Sequence, residues 1–231
     1  MKQVRNNEVY VVIPAFNENS VLASTVREVL AHGYSVVVVD DGSAKSAREC
    51  LDGLPVHYLR HAVNLGQGAA LRTGSEFAIS RGAGIVVHFD ADGQHDASLI
   101  KSLISPIVRG EADVALGSRF LNAADRGAVP AAKRIVLRVG ILISWLFTGI
   151  WLSDTHNGFR ALSRSAAGEL RLEENGFAHA TEILGLIRSS RLRWVEVPVA
   201  VRYTEYSRRK GQSVLNSFNI LIDLVLRRIF H

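Results

Sequence analysis

Two aspartates separated by a single residue, Asp90 and Asp92, follow an apolar run that ends at Phe89. Two carboxylates so close together, at the end of a buried strand, are costly to ionise unless a cation lies beside them. Carboxylate oxygens are hard ligands that suit Mg²⁺ or Mn²⁺ held jointly with the phosphates of a substrate. The segment therefore predicts a divalent-metal site that offsets the charge of a diphosphate. His95 is expected to face solvent or to form hydrogen bonds rather than to bind this metal, because imidazole is a softer ligand.

Acidic and polar residues also follow the first two apolar runs. Asp40 and Asp41 come directly after the second run, where one carboxylate can bind a ribose diol or a base amine. Pro14 is expected to end the first strand, and Asn17 to cap the next helix with Glu18 in its first turn. A capped turn of this kind also occurs without any binding function.

A glycine-rich turn and a group of arginines offer sites for anions. Within Asn64–Arg72, Gly66 and Gly68 allow a ligand to approach the backbone, and the helix that follows presents N–H groups to an anion. An ordinary strand-to-helix loop explains the same residues equally well. Arg119 follows the fifth apolar run, with Arg134 in a basic stretch downstream, and a planar guanidinium matches phosphate oxygens. A solvated basic surface is the alternative for these arginines.

The elements that must position these residues alternate along the first half of the chain. Strands are predicted at Val9–Ile13, Val36–Val39, Val56–Leu59, Ile85–Phe89 and Val114–Leu116. Helices are predicted at Asn19–Ala31, Ala44–Leu51, Gln67–Ser80 and Ala97–Arg109. Such alternation indicates an α/β fold with a parallel sheet wrapped by helices. Because ligands of these sheets bind at the carboxyl ends of the strands, the residues above are expected to share one site.

The second half departs from this alternation. A long helix is predicted over Pro130–Leu152, basic at its start and apolar afterwards, and an amphipathic helix over Val214–Phe230. The elements predicted between them are a strand at Asn157–Leu162, helices at Ser165–Leu172 and Thr181–Arg188, and a strand at Trp194–Val201. Pro198 places that last strand near a sheet edge, because proline cannot donate to a sheet ladder.

Composition limits the compartment and the class of partner. The 231 residues fit one large domain, and the single cysteine, Cys50, indicates a reducing compartment such as the cytoplasm. Met1–Asn7 lacks a signal-peptide core, and the apolar run Val139–Leu152 is shorter than the roughly 20 residues of a membrane span. A net charge of +5 indicates an anionic partner. Nucleic acid is disfavoured, because the basic residues form no stripe interleaved with aromatic residues.

Seven short blocks, taken in order, resemble family 2 glycosyltransferases with a GT-A fold, and more narrowly the dolichol-phosphate mannose synthase group of polyprenyl-phosphate glycosyltransferases. The blocks are Val12–Glu18, Val38–Ser43, Asn64–Gly68, Asp90–His95, Gly117–Phe120, Asp154 with Asn157–Arg160, and Arg208–Ser213. Each block is weak alone, and their shared order along nearly the whole chain carries the resemblance.

The resemblance implies transfer of a sugar from a GDP-sugar or UDP-sugar to a polyprenyl phosphate, with inversion of the anomeric centre. The residues expected in the nucleotide-sugar pocket are Pro14, Ala15, Asn17, Glu18, Asp41, Gly68, Asp90, Ala91, Asp92 and Arg208. Asp90, Asp92 and Gln94 are expected to hold Mg²⁺ or Mn²⁺, and Arg119 and Arg134 to receive the acceptor phosphate. Asp92, Arg119 and Arg134 are thus the expected catalytic residues.

The same resemblance implies contact with a membrane. Residues 1–213 are expected to form the catalytic domain, with an interfacial helical region at 129–152 and a separate amphipathic helix at 214–231. These helices are expected to rest on the cytoplasmic face of a membrane and make the protein peripheral, alone or with a membrane-protein partner or a second copy. Packing of the last helix against the domain's own core is the alternative.

Two other functions fit the same sequence. Transfer to a saccharide hydroxyl, in the synthesis of cell-surface polysaccharides, would require a carboxylate base to activate the acceptor. A non-catalytic module that binds nucleotide-sugars or membrane surfaces would use the same pockets without turnover.

Overall fold

The computed structural model describes residues 5–121, 141, 145–146, 148–155, 157–170, 172–175 and 179–202. The strands among them are β1 (Val9–Ala15), β2 (Ser35–Asp40), β3 (His57–Arg60), β4 (Ile85–His88), β5 (Val114–Ser118), β6 (Arg160–Ser163) and β7 (Trp194–Pro198). The helices are α1 (Asn19–Ala31), α2 (Gln67–Ser80), α3 (Ile100–Val108), α4 (Arg164–Glu169) and α5 (His179–Ser189). Short 3-10 turns occupy Asn6–Glu8, Glu49–Leu51 and Ala97–Leu99.

The described strands form one sheet in the order β3-β2-β1-β4-β6-β5-β7. All neighbouring pairs are parallel except those of β6, which runs antiparallel to both β4 and β5. The carboxyl ends of β1, β2, β4 and β5 therefore meet at one edge of the sheet, where ligands of such folds bind. The predicted α/β architecture is confirmed, with β6 as an antiparallel insertion that the sequence pattern did not indicate.

The central strands are buried on both faces, which explains their runs of valine and isoleucine. Side chains alternate along β1, so that Val11 and Ile13 pack in one apolar cluster with α1 and α3. Val12 and its neighbours on the other face pack with α2, α4 and α5. This two-layer core fixes the strand ends, and hence the polar residues that follow them.

Two predicted boundaries are wrong for identifiable reasons. The helix predicted at Ala44–Leu51 is only a 3-10 turn at its end, because the Asp40 carboxylate accepts the N–H groups of Ser43 and Ala47 at 2.9 and 3.0 Å. A side chain that binds the backbone in this way competes with helix formation. Pro14 does not end β1, which continues to Ala15.

Pro14 is tolerated inside β1 because of where the neighbouring strand stops. Backbone groups of alternate residues point to the same side of a strand, so those of Val12 and Pro14 both face β4. The pairing of β1 with β4 ends at Val12 and His88, and Pro14 therefore leaves no ladder bond unmade. The prediction that Pro198 marks an edge strand is confirmed, because β7 lies at the end of the sheet.

Two predicted helical regions lie largely or wholly outside the described residues. Of the region 129–152 the structure describes residues 141, 145–146 and 148–152, and residues 141, 145–146 and 148 are helical. The region 214–231 lies entirely outside them. No helix formed by the described residues is long and apolar enough to cross a membrane.

Candidate active site

Asp90 lies at the carboxyl end of β4 and is held by residues from two other segments. Its Oδ1 accepts a hydrogen bond from Gln67 Nε2 at 3.0 Å, and its Oδ2 lies 3.0 Å from His95 Nε2. The side chain is nevertheless 30% exposed, so the carboxylate opens onto the sheet edge. The His95 ring is buried and stacks on Phe159 with 5.0 Å between ring centroids. The structure confirms His95 as a hydrogen-bonding residue.

Asp90 is ionised at neutral pH despite its partial burial. Burial alone would raise the pKa of Asp90, but the hydrogen bond from His95 and the nearby Arg160 and His179 lower it below its ordinary value. A carboxylate surrounded by donors and cations in this way retains its negative charge. The site therefore presents a fixed anion at the end of β4.

A buried layer of basic side chains lies beneath Asp90. His88 and Arg160 are direct partners across β4 and β6, and both are buried. Burial, together with Arg160 and His179, lowers the pKa of His88 to about 3, so that its ring is neutral. Burial also lowers the pKa of Arg160, to about 10, which leaves the guanidinium charged at neutral pH. Among the described residues, Arg160 Nη1 has no hydrogen-bond partner.

Sequence reasoning gave Arg160 no role. The signal was a charged residue directly after Phe159 in an apolar strand pattern, which is a position where burial requires a compensating anion. The nearby anion is the Asp90 carboxylate. Gly158 allows it to approach, since a Cβ at that position would lie 2.6 Å from Asp90 Oδ2. Glycine at this position therefore lets the backbone that leads into β6 pass directly beside the Asp90 carboxylate.

Asp92 and Gln94 belong to the short loop that follows Asp90. Asp92 Oδ1 accepts a hydrogen bond from the backbone N–H of Gln94 at 3.0 Å. Gly93 between them has a φ of 73°, a conformation that glycine adopts at little cost. Both side chains are half-buried. The three predicted metal-binding residues thus share one loop at the carboxyl end of β4.

The donor chemistry of this loop fits a divalent cation that a substrate also binds. Its donors are carboxylate and amide oxygens, which Mg²⁺ and Mn²⁺ prefer. Within the described residues, no group of three or more His, Cys, Asp or Glu side chains forms a complete protein cage. An ion held by one or two carboxylates takes its remaining ligands from water and substrate phosphate. Metal binding by Asp90, Asp92 and Gln94 stays a prediction.

Asp41, at the carboxyl end of β2, holds the turn that precedes α2. Its carboxylate is buried and accepts the N–H groups of Leu65 and Gly66 at 2.9 and 2.7 Å. His61 Nδ1 lies 2.7 Å from the same carboxylate. The observed role of Asp41 is therefore to hold the turn before α2, and a direct contact with the nucleotide stays a prediction.

The residues at the carboxyl end of β1 lie beside the segment that follows β2. Pro14 and Ala15 are buried in the strand, whereas Asn17 is exposed and Glu18 half-buried. Asn17 was expected to cap α1, but Glu18 occupies the cap position. Asn17 instead accepts a hydrogen bond from the Ala44 N–H at 3.0 Å through its side chain, in a left-handed conformation with a φ of 58°. It thereby joins the ends of β1 and β2, because a side-chain amide in this conformation readily bonds nearby backbone.

The lack of a side chain at Gly68 allows another segment of the chain's own backbone to approach α2 closely. A Cβ at this position would lie 2.0 Å from the Glu174 carbonyl oxygen. The Gly68 N–H donates to the Asn175 carbonyl oxygen at 2.9 Å, so the first turn of α2 is partly satisfied within the protein. The glycine therefore packs α2 against the segment 172–175, and a nucleotide contact there stays a prediction.

Arg119 lies at the carboxyl end of β5 and forms a bidentate ion pair with Asp154. Its Nε and Nη2 lie 2.6 and 2.8 Å from the two Asp154 oxygens. The Asp154 side chain is almost fully buried, whereas the Arg119 side chain is one-fifth exposed. The pair fixes the guanidinium at the same sheet edge as Asp90, with only β6 between β4 and β5.

A model of the protein family described as "Glycosyl transferase family 2" matches residues 10–171. This match includes the residues described above at the carboxyl ends of β1, β2, β4 and β5. The chain belongs to glycosyl transferase family 2.

Two curated proteins resemble the chain along nearly all of its length. One is a UDP-N-acetylglucosamine–dolichyl-phosphate N-acetylglucosaminyltransferase of Methanococcus voltae, 30% identical over 241 residues that cover 96% of each chain. Another is a polyprenol monophosphomannose synthase of Mycolicibacterium smegmatis, 27% identical over 221 residues that cover 91% of this chain and 82% of the relative. The names of both relatives describe sugar transfer to a polyprenyl or dolichyl phosphate.

Solved structures confirm the predicted GT-A fold. The glucosyl-3-phosphoglycerate synthase of Mycobacterium tuberculosis superposes with a TM-score of 0.66, at 17% identity, over 95% of this chain and 78% of that one. That enzyme was crystallised with Mn²⁺, UDP and phosphoglyceric acid. At this identity the likeness concerns the fold alone.

Two predicted site residues of this family 2 chain, Arg134 and Arg208, lie outside the described residues. The described chain reaches Arg202, whose backbone N–H donates to the Gln94 carbonyl oxygen at 2.8 Å. The Arg202 guanidinium contacts Asp96 and Glu28 at 2.5 and 3.1 Å. The segment after β7 is therefore anchored beside the loop of Asp90.

Proposed function

We propose that this family 2 glycosyltransferase moves a sugar from a nucleoside diphosphate sugar to a polyprenyl phosphate and inverts the anomeric centre. The observation that carries the proposal is the placement of the Asp90 loop and the Arg119–Asp154 pair at one sheet edge, two strand positions apart. Adjacent strands are about 4.8 Å apart, so these groups lie about 10 Å from each other in the plane of the sheet. That spacing suits a donor diphosphate on one side and an acceptor phosphate on the other.

The bond changes require little proton transfer. An oxygen of the acceptor phosphate attacks the anomeric carbon, the bond from that carbon to the donor diphosphate breaks, and the nucleoside diphosphate leaves with the electron pair. Because the acceptor oxygen is already an anion, no strong base is needed. The work of the protein is to position two anionic groups in line and to stabilise the charge on the leaving diphosphate.

Named residues would divide this work. Asp92, Asp90 and Gln94 would hold Mg²⁺ or Mn²⁺, which supplies positive charge to the leaving diphosphate. Arg119 would receive the acceptor phosphate, since Asp154 holds its guanidinium in one orientation. Arg134 and Arg208 would add positive charge from segments outside the described residues. The walls formed by Pro14, Ala15, Asn17, Glu18, Asp41 and Gly68 would enclose the nucleotide, with Ala91 beside the diphosphate.

The acceptor places the reaction at a membrane. The names of the relatives support this assignment, because dolichyl and polyprenyl phosphates are membrane lipids. We propose that the protein works as a peripheral protein at the cytoplasmic face, where nucleotide-sugars are available. Contact would involve the regions 129–152 and 214–231, alone or together with a membrane-protein partner or a second copy.

Transfer in detergent tests the proposal directly. Purified protein is incubated with Mn²⁺ or Mg²⁺, a polyprenyl phosphate in detergent, and in turn GDP-mannose, UDP-glucose and UDP-N-acetylglucosamine. The glycolipid is then detected by mass spectrometry and its anomeric configuration by NMR. We expect one donor to give an inverted product, and Asp92→Asn to reduce the rate by at least about a hundredfold, as the loss of a charge-stabilising group does. The control Asp52→Asn removes an exposed carboxylate before β3 and should act as the parent.

Three outcomes would contradict the proposal. Product on a saccharide hydroxyl, and none on any lipid phosphate, would assign the chain to polysaccharide synthesis. Donor binding without transfer or hydrolysis would indicate a binding module. A product that retains the anomeric configuration would exclude direct displacement by the acceptor phosphate.

A further inference from the structure

The tryptophans of the chain lie together on one part of the surface. The sequence contains three, Trp145, Trp151 and Trp194, and all are exposed, at 41%, 60% and 37%. The rings of Trp145 and Trp151 meet edge to face, with 5.8 Å between their centroids. Leu146 beside them is 66% exposed. We call these four residues the Trp face.

A shallow groove joins the two halves of the Trp face. It has a volume of about 490 Å³, and Trp151 and Trp194 line it together with Ile187 and Leu192. Single exposed apolar residues are normal on a protein surface, whereas a contiguous group of large ones marks an interaction site. Since tryptophan is usually well buried, the exposure of every tryptophan in one place indicates that something covers this surface.

The charges beside the groove indicate an anionic partner. Arg188 and Arg191 also line the groove, and neither has a carboxylate partner among the described residues. Arg188 packs closely against the backbone at Gly149. A Cβ on that glycine would lie only 1.4 Å from Arg188 Nη1. Nearby Arg193, by contrast, is neutralised by a bidentate pair with Asp113.

Amphipathic indole rings beside unpaired arginines suit the boundary between lipid headgroups and acyl chains. Tryptophan places its apolar ring at headgroup depth with its N–H towards water, and arginine extends to the phosphates. A second copy of the chain would bring Arg188 and Arg191 against one another in a symmetric contact, with no carboxylate in the groove to offset them. The charge pattern therefore favours an anionic bilayer over a self-contact.

The location of the Trp face agrees with a membrane-bound acceptor. Trp194 begins β7, the edge strand, and is paired with Val114 at the start of β5. Arg119 follows the other end of β5, which is four residues or about 13 Å further along the strand. Arg119 therefore lies one strand spacing, about 5 Å, inside the β7 edge, and more than about 13 Å along the strands from Trp194.

We propose that the Trp face, with Arg188 and Arg191, is the surface by which this protein docks on an anionic phospholipid bilayer. This inference rests on the proposed function, since a lipid acceptor gives the docking its purpose. It adds the sheet edge at β7 and the end of α5 to the contact surface, regions to which the sequence gave no membrane role.

The parent protein contains its own probe for the experiment. All three tryptophans lie in the Trp face, so intrinsic fluorescence reports on this surface alone. Purified full-length protein is titrated with phosphatidylcholine vesicles, with and without phosphatidylglycerol, and then with vesicles whose acyl chains carry bromine, a contact quencher. We expect a blue shift and quenching with the anionic vesicles. Co-sedimentation with the same vesicles gives the affinity.

Matched variants assign the binding to named residues. Trp151→Ser is expected to weaken vesicle binding about tenfold or more, because a large aromatic surface is no longer buried in lipid. Arg191→Gln is expected to weaken it about fivefold, and only when the vesicles are anionic. The controls are Val63→Ser, which removes a 62% exposed apolar side chain beyond β3 at the opposite sheet edge, and Arg27→Gln on the exposed side of α1. Both should bind vesicles as the parent does.

The proposal is overturned if the parent's fluorescence does not respond to anionic vesicles, or if Trp151→Ser binds them as tightly as Val63→Ser does. It is also overturned if the parent forms a dimer without lipid that Trp151→Ser abolishes, since the Trp face would then be a self-contact. Failure of the proposed function has a different signature. In that case the parent transfers no sugar to detergent-solubilised polyprenyl phosphate, whatever its binding to vesicles.

Discussion

Arg119 and Asp154 form a bidentate ion pair in which the carboxylate is buried and the guanidinium reaches the sheet edge, at 2.6 and 2.8 Å. Asp154 also accepts the backbone N–H of Arg119 at 3.1 Å, which ties the side chain and its own main chain to one partner. Arginine held in this way loses little further freedom when it binds a phosphate, since its fork is already oriented. The pair thus presents an oriented guanidinium where the acceptor phosphate is proposed to bind.

Removing the charge of Asp154 should weaken acceptor binding more than donor binding. In Asp154→Asn the Arg119 guanidinium loses its orienting partner, and we expect the KM for polyprenyl phosphate to rise while the KM for the donor changes little. The unfolding free energy should fall by about 3 kcal/mol, because the buried carboxylate charge that offsets the Arg119 guanidinium is removed. Steady-state kinetics and urea unfolding measure the two effects. Equal increases in both KM values would contradict a role specific to the acceptor.

The chain contains a natural control for that experiment. Asp113 forms the same bidentate arrangement with Arg193, at 2.9 and 3.0 Å, but the Arg193 side chain is exposed. Exposed pairs contribute about 0–1 kcal/mol. Asp113→Asn should therefore leave both KM values unchanged and the stability nearly so.

Asp40 should control stability at low pH. Burial alone would raise the pKa of Asp40, but hydrogen bonds from Ala47, Ser43 and Tyr58 outweigh it and hold the pKa below its ordinary value. A carboxyl whose folded pKa is lowered stabilises the protein fully above the unfolded pKa, near 3.8, and this contribution is lost as the pH falls through the folded value. The unfolding free energy should therefore decline below about pH 4.

Asp40→Asn tests the assignment. The variant should lose about 2 kcal/mol at neutral pH, where it removes charged hydrogen bonds, and its stability should decline less between about pH 4 and pH 2. Urea unfolding across this range measures both effects. The exposed Asp52→Asn should retain the acid decline of the parent. The same steep decline in Asp40→Asn would assign the acid sensitivity to other carboxyls.

Local sequence patterns were sufficient to find the strand ends. Asp90 and Arg119 each follow an apolar run directly, and the rule for carboxyl ends of strands brought them together. Their partners could not be found in that way, because they come from distant parts of the chain. Asp154 follows Arg119 by 35 residues, and Gln67 precedes Asp90 by 23. Only the path of β6 between β4 and β5 shows that Arg160 lies beneath Asp90.

The cap role predicted for Asn17 was wrong, and the role of Gly68 was left open, for a related reason. A cap and a ligand-binding glycine are local interpretations, whereas the observed contacts of these residues are with Ala44 and Glu174. A backbone turn that needs a distant partner has the same sequence signature as one that binds a ligand. The sequence alone therefore cannot separate the two.

A methyl group at Gly68 should destabilise the protein, whereas one at Gly185 should not. The Cβ of Gly68→Ala would lie 2.0 Å from the Glu174 carbonyl oxygen, so α2 must shift, at a cost of about 1–3 kcal/mol. Gly185 lies within α5, and no atom of the described residues lies within 4 Å of its Cβ position. Gly185→Ala should stabilise the protein by about 0.5–1 kcal/mol, since alanine restricts the unfolded chain. Thermal unfolding compares the two, and equal stability changes would contradict the packing role of Gly68.

Among the buried positions, substitution of Arg160 should lower the unfolding free energy most. Its guanidinium interacts favourably with both Asp90 and Asp154, which lie on the proposed donor and acceptor sides of the site. Arg160→Met keeps a long apolar stem but removes the positive charge between these carboxylates, and we expect a loss of about 3–5 kcal/mol in unfolding free energy. Arg160→Lys retains the charge without the planar fork and should lose less. If the Met variant were as stable as the Lys variant, the charge of Arg160 would not stabilise the two carboxylates, and the link between the two halves of the site would be absent.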